Sequence, residues 1–388
     1  MASDNQYKGV NTRLAHAGYN PSDYHGFVNP PVVHASTVLF PDAKSMSGRS
    51  QKYTYGTKGT PTTDALAAAM DELEGSAGTI IVPSGLAAVT VPLLAFVASG
   101  DHILIVDSVY RPTRHFANTM LRRLGVETTY YDPAIGSDIA GLMRPNTKVV
   151  FTESPGSNTF EMQDIPAIAK AAHAGGAIVM MDNTWATPLY FKPLDFGVDV
   201  SIHAATKYPA GHSDVLLGTV SATEKCWPQL RDAFETLGCC AGPDDVYQVL
   251  RGLRTMGVRL AHHEKSALEI ATWMESLPQV AQVLHPALPS AVGHDLWKRD
   301  FSGSSGIFSF VLKGGEKQAH AFLDALKLFG LGYSWGGYES LAVLVSLTDR
   351  TVAKGDYEGP VVRLQIGLED VEDIMADIES GLAAARAA

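Results

Sequence analysis

Short apolar segments alternate with helical patterns between residues 64 and 205, and this alternation is the strongest constraint on the fold. Segments with the length and apolar content of single strands occupy 102–107, 148–153, 177–182 and 200–205. Helical patterns occupy 64–75, where Asp64 is the expected N-cap, and also 85–98, 111–124 and 163–174. Strands that alternate with helices form βαβ units, so we predict an α/β fold with a mainly parallel sheet.

The pattern changes after residue 242. A long helical pattern at 244–277 precedes two segments, 306–313 and 361–366, that alternate as half-exposed strands do, and an amphipathic helix is expected at 369–387. Residues 1–60 are rich in Gly, Pro, Tyr and His and show weak periodicity, which is typical of an extended arm. A chain of 388 residues suits two domains. We therefore predict an N-terminal arm (1–60), a large domain (61–243) and a smaller C-terminal α/β domain (244–388).

Composition excludes several classes of protein. The net charge of −11, with no run of Lys and Arg, argues against a nucleic-acid-binding protein. The longest apolar run, 85–98, is too short to cross a bilayer, and residues 1–12 lack the apolar region of a secretory signal. Cys226, Cys239 and Cys240 fit neither a zinc site nor a disulfide framework. We expect a soluble cytoplasmic protein with reduced thiols that binds no nucleic acid, membrane or metal.

A lysine and a carboxylate follow two of the predicted strands. Lys207 comes after the strand at 200–205 and before a loop of small polar residues at 211–214. Most lysines lie on the surface, but one in a partly desolvated site loses basicity and can form a Schiff base. Asp182 ends the strand one crossover earlier. A carboxylate in such a position has three alternative uses: to cap a helix, to bind a metal or to pair with a cofactor nitrogen. Pyridoxal phosphate (PLP) requires such a lysine and such an acid.

The segment at 84–87, Ser-Gly-Leu-Ala, opens the predicted helix at 85–98. Its small residues let backbone N–H groups approach a phosphate, and the N-terminus of a helix favours negative charge. The same residues are also typical of an ordinary helix cap. This segment therefore supports a phosphate site only in combination with Lys207 and Asp182.

Six segments spread over nearly the whole chain each match a motif of one known family. They are YGTKGTPTT around Tyr55, PSGLAAV around Gly85, MDNTWATP around Asp182, AATKYPAGHSD around Lys207, YSWGGYESL around Trp335 and RLQIGLEDVEDI around Arg363. Together they resemble the Cys/Met-metabolism family of PLP-dependent enzymes, and most closely its bacterial cystathionine β-lyase branch. The segments at Asp182 and Lys207 are typical of the whole family, whereas those at Trp335 and Arg363 indicate the branch. The resemblance implies fold type I, with a three-layer large domain similar to aspartate aminotransferase.

The resemblance also implies roles around the cofactor. Lys207 would hold PLP as a Schiff base and later move protons, and Asp182 would keep the ring nitrogen protonated. Tyr110 would stack on the ring and help to deprotonate the substrate amine. The phosphate would be bound by Gly85, Leu86 and Thr206. Taken alone, Tyr110 is equally well explained as an aromatic residue that ends a strand.

Substrate contacts are implied at the other end of the site. Arg363 would bind the α-carboxylate, a bidentate task that suits a guanidinium group. The substrate pocket would be lined by Tyr333, Ser334, Trp335 and Ser157, the last at a turn position where many relatives carry Asn. Taken alone, Arg363 is also explained by pairing with a surface acid, and Trp335 by a place in the core.

The N-terminal arm departs from the family pattern. Tyr55 would reach the phosphate of a neighbouring subunit, which implies at least a dimer and favours a homotetramer. Many relatives carry Tyr-x-Arg here, with the arginine on the phosphate, but this chain has Tyr55-Gly56-Thr57 followed by Lys58. Either Thr57 or Lys58 would then replace the missing arginine.

The implied reaction is β-elimination of L-cystathionine to homocysteine, pyruvate and ammonia in methionine biosynthesis. One alternative is another cysteine-S-conjugate β-lyase, and a second is chemistry at Cγ by a γ-lyase, γ-synthase or sulfhydrylase. Branches that act at Cγ often carry Glu before the serine equivalent to Ser334, where this chain has Tyr333. A third alternative, a PLP-binding regulator without catalysis, is disfavoured because Lys207, Asp182, Tyr110 and Arg363 are all intact.

Overall fold

A seven-stranded sheet forms the centre of the first part of the chain in this computed structural model, which describes residues 9–388. Its strands are β1 Gly78–Val82, β2 His102–Val106, β3 Glu127–Tyr131, β4 Thr147–Glu153, β5 Ile178–Asp182, β6 Val200–His203 and β7 Gly218–Ala222. They are ordered β1-β7-β6-β5-β4-β2-β3, and β7 alone runs antiparallel to its two neighbours. The predicted α/β fold with a mainly parallel sheet is confirmed.

Helices cover both faces of this sheet. Every residue of β2 is buried, and successive side chains of a strand point to opposite faces, so neither face is open to solvent. The helices of the N-terminal part are α1 Val10–His16, α2 Ala43–Gly48, α3 Pro61–Glu74, α4 Gly85–Phe96, α5 Arg111–Phe116, α6 Ile165–Ala174, α7 Thr187–Tyr190 and α8 Trp227–Leu237. The arrangement explains why the strands have continuous apolar sequences.

A second sheet of five strands follows. It comprises β8 Val280–Leu284, β9 Ile307–Leu312, β10 Gly330–Leu331, β11 Leu341–Leu344 and β12 Val361–Gln365, in the order β10-β11-β12-β9-β8. The remaining helices are α9 Pro243–Leu253, α10 Met256–Glu275, α11 His294–Asp300, α12 Glu316–Ala325 and α13 Val371–Ala387. No helix of the described part, 9–388, is both long and apolar enough to cross a membrane.

The expectation that the strand at 306–313 is half-exposed is wrong, because all six residues of β9 are buried. One face of β9, with Phe308 and Phe310, packs in a core with α12 and α13. The opposite face, with Ile307 and Val311, joins the core of the central sheet. The second sheet is therefore covered on both sides at β9, and one of its faces packs on the core of the central sheet.

Other boundaries differ from the sequence prediction at helix ends. The helical pattern at 244–277 forms two helices, α9 and α10, separated at 254–255. Helix α3 begins before Asp64, because Thr60 caps it and forms a reciprocal capping box with Thr63. Within the predicted arm, α1 packs against α10 and α3, and its Leu14 is buried.

Candidate active site

The polar side chains that the sequence singles out meet at the carboxyl ends of the central strands. Asp182 ends β5, and Lys207 follows β6, the next strand in the sheet. Arg363 lies on β12 of the second sheet, and Ser334 lies in the loop between β10 and β11. In open parallel sheets this end of the strands is the usual place for a ligand.

Lys207 lies in a half-buried position under the loop at 334–336. Its Nζ donates to Ser334 Oγ at 2.8 Å and lies 5.2 Å from the centroid of the Trp335 ring. Burial, together with the positive charge of Arg363, lowers the pKa of Lys207 to about 8, and the negative charge of Asp182 opposes this shift. An amine with this pKa is partly neutral near pH 7 to 8, so it can act as a nucleophile and exchange protons.

The loop approaches Lys207 closely because Gly336 allows it. Gly336 has a φ of 82°, and a Cβ atom there would lie about 3.0–3.1 Å from the backbone of Lys207 and Tyr208. Trp335 also contacts the Tyr208 ring edge-on, with ring centroids 5.6 Å apart. Trp335 thus has a packing role and at the same time borders the lysine.

Asp182 is a half-buried carboxylate with only short-range hydrogen bonds. It accepts from the backbone N–H of Thr184 at 3.0 Å and from the Thr184 hydroxyl at 2.5 Å. Burial raises the pKa of Asp182, whereas these hydrogen bonds and the charges of His203 and Lys207 lower it. Thr184 was not predicted to belong to the site, although the MDNTW segment places it two residues after the acid.

Tyr110 and Glu153 lie beside Asp182. The backbone N–H of Tyr110 donates to Glu153 Oε2 at 2.7 Å, and the Tyr110 side chain is 45% exposed. Burial raises the pKa of Glu153 well above its ordinary value, and the negative charge of Asp182 raises it further. Burial also raises the pKa of Tyr110, so its phenol is neutral near pH 7. Glu153 had no predicted role, although it ends a strand.

Arg363 faces the same space from the second sheet. Its Nη1 donates to Asn158 Oδ1 at 3.0 Å, and its Nη2 donates to the Tyr333 carbonyl oxygen at 2.7 Å. Burial lowers the pKa of Arg363 to about 10, so the guanidinium is still charged at neutral pH. The Tyr333 side chain is 88% exposed, and it is the backbone of this residue that contacts Arg363.

Asn158, the residue after the predicted pocket residue Ser157, contacts the arginine. Ser157 uses its backbone: its N–H donates to the Ser108 carbonyl at 2.8 Å, and its carbonyl accepts from Arg350 Nη2 at 2.9 Å. A motif count identifies the position of a residue in a turn but not the direction of its side chain. The contact between Asn158 and Arg363 was therefore not predicted from the sequence.

The predicted phosphate residues surround the first turn of α4. Ser84 caps this helix by accepting from the Ala87 N–H at 3.1 Å, and the first N–H groups of a helix have no partner within it. A Cβ atom on Gly85 would lie 2.5 Å from that of Ala204, so only glycine allows α4 to approach the 204–207 segment. The Thr206 hydroxyl is bonded to the backbone of Leu217, at 3.2 Å as donor and 3.0 Å as acceptor.

These residues fit PLP in chemical type. A lysine with a lowered pKa, a carboxylate at the next strand end, an exposed aromatic ring and a helix N-terminus are the groups that the cofactor requires. The tight approach of α4 to the 204–207 segment brings the N–H groups of Gly85 and Leu86 to the side of the site where Lys207 lies.

The arm residues predicted to bind a phosphate make other contacts within this chain. Tyr55 forms an isolated antiparallel bridge with Thr37, and its side chain is 52% exposed. Thr57 and Lys58 follow in a short helical turn, and Lys58 pairs with Glu235 of α8. Within residues 9–388, none of the three is hydrogen-bonded to Lys207, Asp182 or Thr206 of the same chain.

The chain is similar to known proteins over almost its full length. Residues 11–383 match the family model described as Cys/Met metabolism PLP-dependent enzyme. A Rhizobium johnstonii protein provisionally named a cystathionine beta-lyase is 69% identical over 387 residues, which are 98% of each chain. Cystathionine beta-lyase MetC of Escherichia coli is 46% identical, over 97% of this chain and 98% of its own. The crystal structure of a Xanthomonas oryzae cystathionine gamma synthase has a TM-score of 0.92 at 33% identity, over 98% of this chain and 100% of its own.

Proposed function

This chain belongs to the Cys/Met metabolism family of PLP-dependent enzymes, and on that basis we propose that it cleaves L-cystathionine by β-elimination. The products are homocysteine, pyruvate and ammonia, which places the reaction in methionine biosynthesis. The observation that carries the proposal is the convergence of Lys207, Asp182 and Arg363 at one end of the central sheet. Relatives named cystathionine β-lyase support the choice of substrate.

The groups that would hold the cofactor are those described above. Lys207 would attach it, Asp182 would pair with its ring nitrogen, Tyr110 would lie against its ring, and Gly85, Leu86 and Thr206 would bind its phosphate. When bound, PLP supplies a cationic ring that accepts the electron pair released at the substrate Cα. Asp182 contributes because a carboxylate beside the ring nitrogen favours the protonated ring.

Lys207 carries the proton transfers. Its pKa of about 8 allows the amine to take a proton from Cα and then, as an ammonium, to give one to the departing sulfur. The hydroxyl of Ser334, 2.8 Å from Nζ, holds the amine when it is not bonded to the cofactor. Tyr110, whose neutral phenol is partly exposed, would relay the proton of the substrate amine: its oxygen accepts that proton as its own hydroxyl proton passes to solvent.

Arg363 determines how the substrate enters. A guanidinium binds a carboxylate through two parallel hydrogen bonds, and the α-carboxylate of the substrate is the group that this residue recognises. Ser157, Ser334, Trp335 and Tyr333 then border the rest of the substrate. Elimination breaks the bond between Cβ and sulfur, the sulfur leaves as the thiol of homocysteine, and water releases the remaining three carbons as pyruvate and ammonia.

Chemistry at Cγ is the second candidate, because a similar solved structure is that of a cystathionine gamma synthase. The loop at 333–337 has no carboxylate that could hold the distal amine of a γ-substrate. The next acid along the chain is Glu339. Its Oε2 is buried and lies 2.5 Å from the point that a Cβ atom would occupy if residue 337 were not glycine. These features favour β-elimination.

The assembly and its location are also part of the proposal. We infer a homodimer, and a tetramer formed from two of them, in which Tyr55 and Thr57 serve the cofactor phosphate of the neighbouring subunit. Lys58 is a weaker candidate for this task because Glu235 already pairs with it. The three free cysteines fit the reducing cytoplasm. We propose 1–60 as the arm, 61–243 as the large domain and 244–388 as the small domain. The first sheet ends at Ala222 and the second begins at Val280, so the boundary at 243 lies between them.

One assay tests the reaction. Purified holoenzyme is supplied with L-cystathionine, and the keto acid and amino acid products are separated. Pyruvate with homocysteine is the expected result. If 2-oxobutyrate with cysteine predominates, the β-lyase assignment is wrong, although the residues proposed to bind PLP would be unaffected.

A further inference from the structure

Asn158 occupies a turn that both sheets hold in place. Its backbone has a φ of 68°, its carbonyl oxygen accepts from the Ser309 hydroxyl at 2.6 Å, and its side-chain oxygen accepts from Arg363 Nη1 at 3.0 Å. Ser309 on β9 is the direct partner of Arg363 on β12 across the antiparallel pair. Two neighbouring residues of the second sheet therefore bind the two oxygen atoms of one asparagine.

The position of Asn158 does not depend on Arg363 alone. Arg350 holds the same turn from another direction, since its Nη2 donates to the Ser157 carbonyl at 2.9 Å and its Nη1 donates to Glu161 Oε1 at 2.6 Å. With Ser309 on the Asn158 carbonyl, the turn is fixed on both sides of the asparagine. The amide oxygen is thus a preorganised acceptor for the guanidinium.

We propose that Asn158 is a positioning residue that orients the Arg363 guanidinium toward the α-carboxylate of the substrate. This inference rests on the proposed role of Arg363. A guanidinium has five N–H donors in one plane, and acceptors on its two different Nη atoms fix that plane. Asn158 and the Tyr333 carbonyl are those acceptors, and in this proposal the donors that they do not engage serve the substrate carboxylate.

The chemical type of residue 158 fits this task. Asparagine is one of the few residues other than glycine that adopt a left-handed backbone readily. Its amide oxygen is neutral, so the positive charge of Arg363 stays available for an anionic substrate. A carboxylate at the same place would neutralise that charge and repel the substrate.

Asn158→Gly is the central test, because glycine keeps the left-handed backbone without strain and removes only the amide. A hydrogen bond to a charged group is lost, so KM for L-cystathionine should rise about tenfold while kcat changes by less than about twofold. Free glycine, added as a ligand, has the α-carboxylate but no group to eliminate. It should bind about tenfold more weakly to the Asn158→Gly holoenzyme than to the wild-type holoenzyme, as measured by titration of cofactor absorbance.

Two further variants sharpen the result. Asn158→Asp keeps the shape and adds a negative charge, so KM should rise more than in Asn158→Gly, on the order of a hundredfold. Asn146→Gly removes an amide that donates to the Gly100 carbonyl at 2.8 Å, just before β4 and at the opposite end of the sheet. This control should leave KM and the affinity for glycine unchanged.

A double-variant comparison separates this inference from the proposed function. In the Arg363→Ala background, Asn158→Gly should add less than about a twofold effect, because the amide acts through the arginine. If Arg363→Ala leaves KM and the affinity for glycine unchanged, the carboxylate site itself is wrong. The positioning role of Asn158 is wrong in two cases. In the first, Arg363→Ala raises KM and lowers the affinity for glycine, whereas Asn158→Gly changes neither. In the second, the effects of the two substitutions multiply in the double variant.

Discussion

Glu153 and Asp182 lie side by side at the carboxyl ends of β4 and β5, where the two parallel strands pair them in register. Burial raises the pKa of both carboxyls, and the charge of Asp182 further raises that of Glu153. Thr184, His203 and Lys207 favour the ionised form of Asp182. Two buried acids in adjacent positions do not readily ionise together. Of the two, Asp182 is therefore the carboxyl that ionises more readily, and Glu153 is the one that holds a proton more readily.

The first prediction follows from this division of charge. Asp182→Asn removes the partner that would keep the cofactor ring nitrogen protonated. One unit in the pKa of that nitrogen is about 1.4 kcal/mol, so a loss of a few units should lower kcat on the order of a hundredfold or more. Glu153→Gln replaces a carboxyl whose neutral form is favoured by burial with a neutral amide of the same shape, so kcat should stay within a few fold of wild type. Steady-state kinetics of both variants test this. If kcat fell strongly in Glu153→Gln and stayed near the wild-type value in Asp182→Asn, the roles of the two acids would have to be exchanged.

The second prediction concerns attachment of the cofactor. Reduction of the holoenzyme with borohydride should fix PLP covalently to Lys207, which peptide mass mapping would locate. Lys207→Ala should abolish turnover because it removes the group that transfers the protons, while PLP still binds through its phosphate and ring. An adduct on any other lysine would refute the assignment.

The third prediction uses the pKa of Lys207 in the cofactor-free protein. The folded pKa of about 8 is below the unfolded value of about 10.4, so between these pH values the unfolded chain binds more protons and stability rises with pH. Lys207→Met should therefore stabilise the apoprotein at pH 7 by up to about 3 kcal/mol. The gain should shrink as the pH rises from 8 toward 10. Urea unfolding of both apoproteins at pH 7 and pH 9.5 measures it, and a gain that grows with pH would contradict it.

The fourth prediction concerns Arg363. Loss of a buried charge partner costs roughly 2–5 kcal/mol, so Arg363→Ala should lower kcat/KM by about 30-fold to several thousandfold, mainly through KM. Arg363→Lys should recover little, because an ammonium cannot make the paired planar contact. Arg122→Ala, at an exposed position, serves as the control. Arg363→Ala kinetics that match the control would place the carboxylate site elsewhere.

The fifth prediction tests the shared site. Tyr55→Ala and Lys207→Ala should each be impaired, but in a mixed oligomer one site contains both native residues when Tyr55 comes from the neighbouring subunit. Mixing the two variants under conditions of subunit exchange should therefore restore part of the activity. Proven exchange, for example by native mass spectrometry of tagged subunits, without any regained activity would show that the site is not shared.

The sequence alone determined the class of fold and the chemical centre. Strands such as β2 and β5 were predicted because each is a continuous apolar run, and burial on both faces demands that pattern. Lys207 and Asp182 were predicted because polar residues directly after buried strands must lie at the carboxyl edge of the sheet. Both inferences depend only on neighbours along the chain.

Other strands were missed for the same reason. β3 is mostly polar and half-exposed at the edge of the sheet, so its pattern lacks a strong apolar signal. β7 consists of small residues, Gly-Thr-Val-Ser-Ala, and it is a strand because it pairs antiparallel with both β1 and β6. Pairing of this kind joins segments that are distant in sequence, and local propensity does not encode it.

The tertiary structure alone decided the details of the site. Asn158 and Arg363 are 205 residues apart in sequence, and only the packing of the second sheet against the 156–161 turn makes them partners. The raised pKa of Glu153 likewise depends on its burial and on the charge of Asp182 in the adjacent strand. Hydrogen-bond direction and ionisation are set by distances of a few ångströms between side chains, and these distances exist only after the chain has folded.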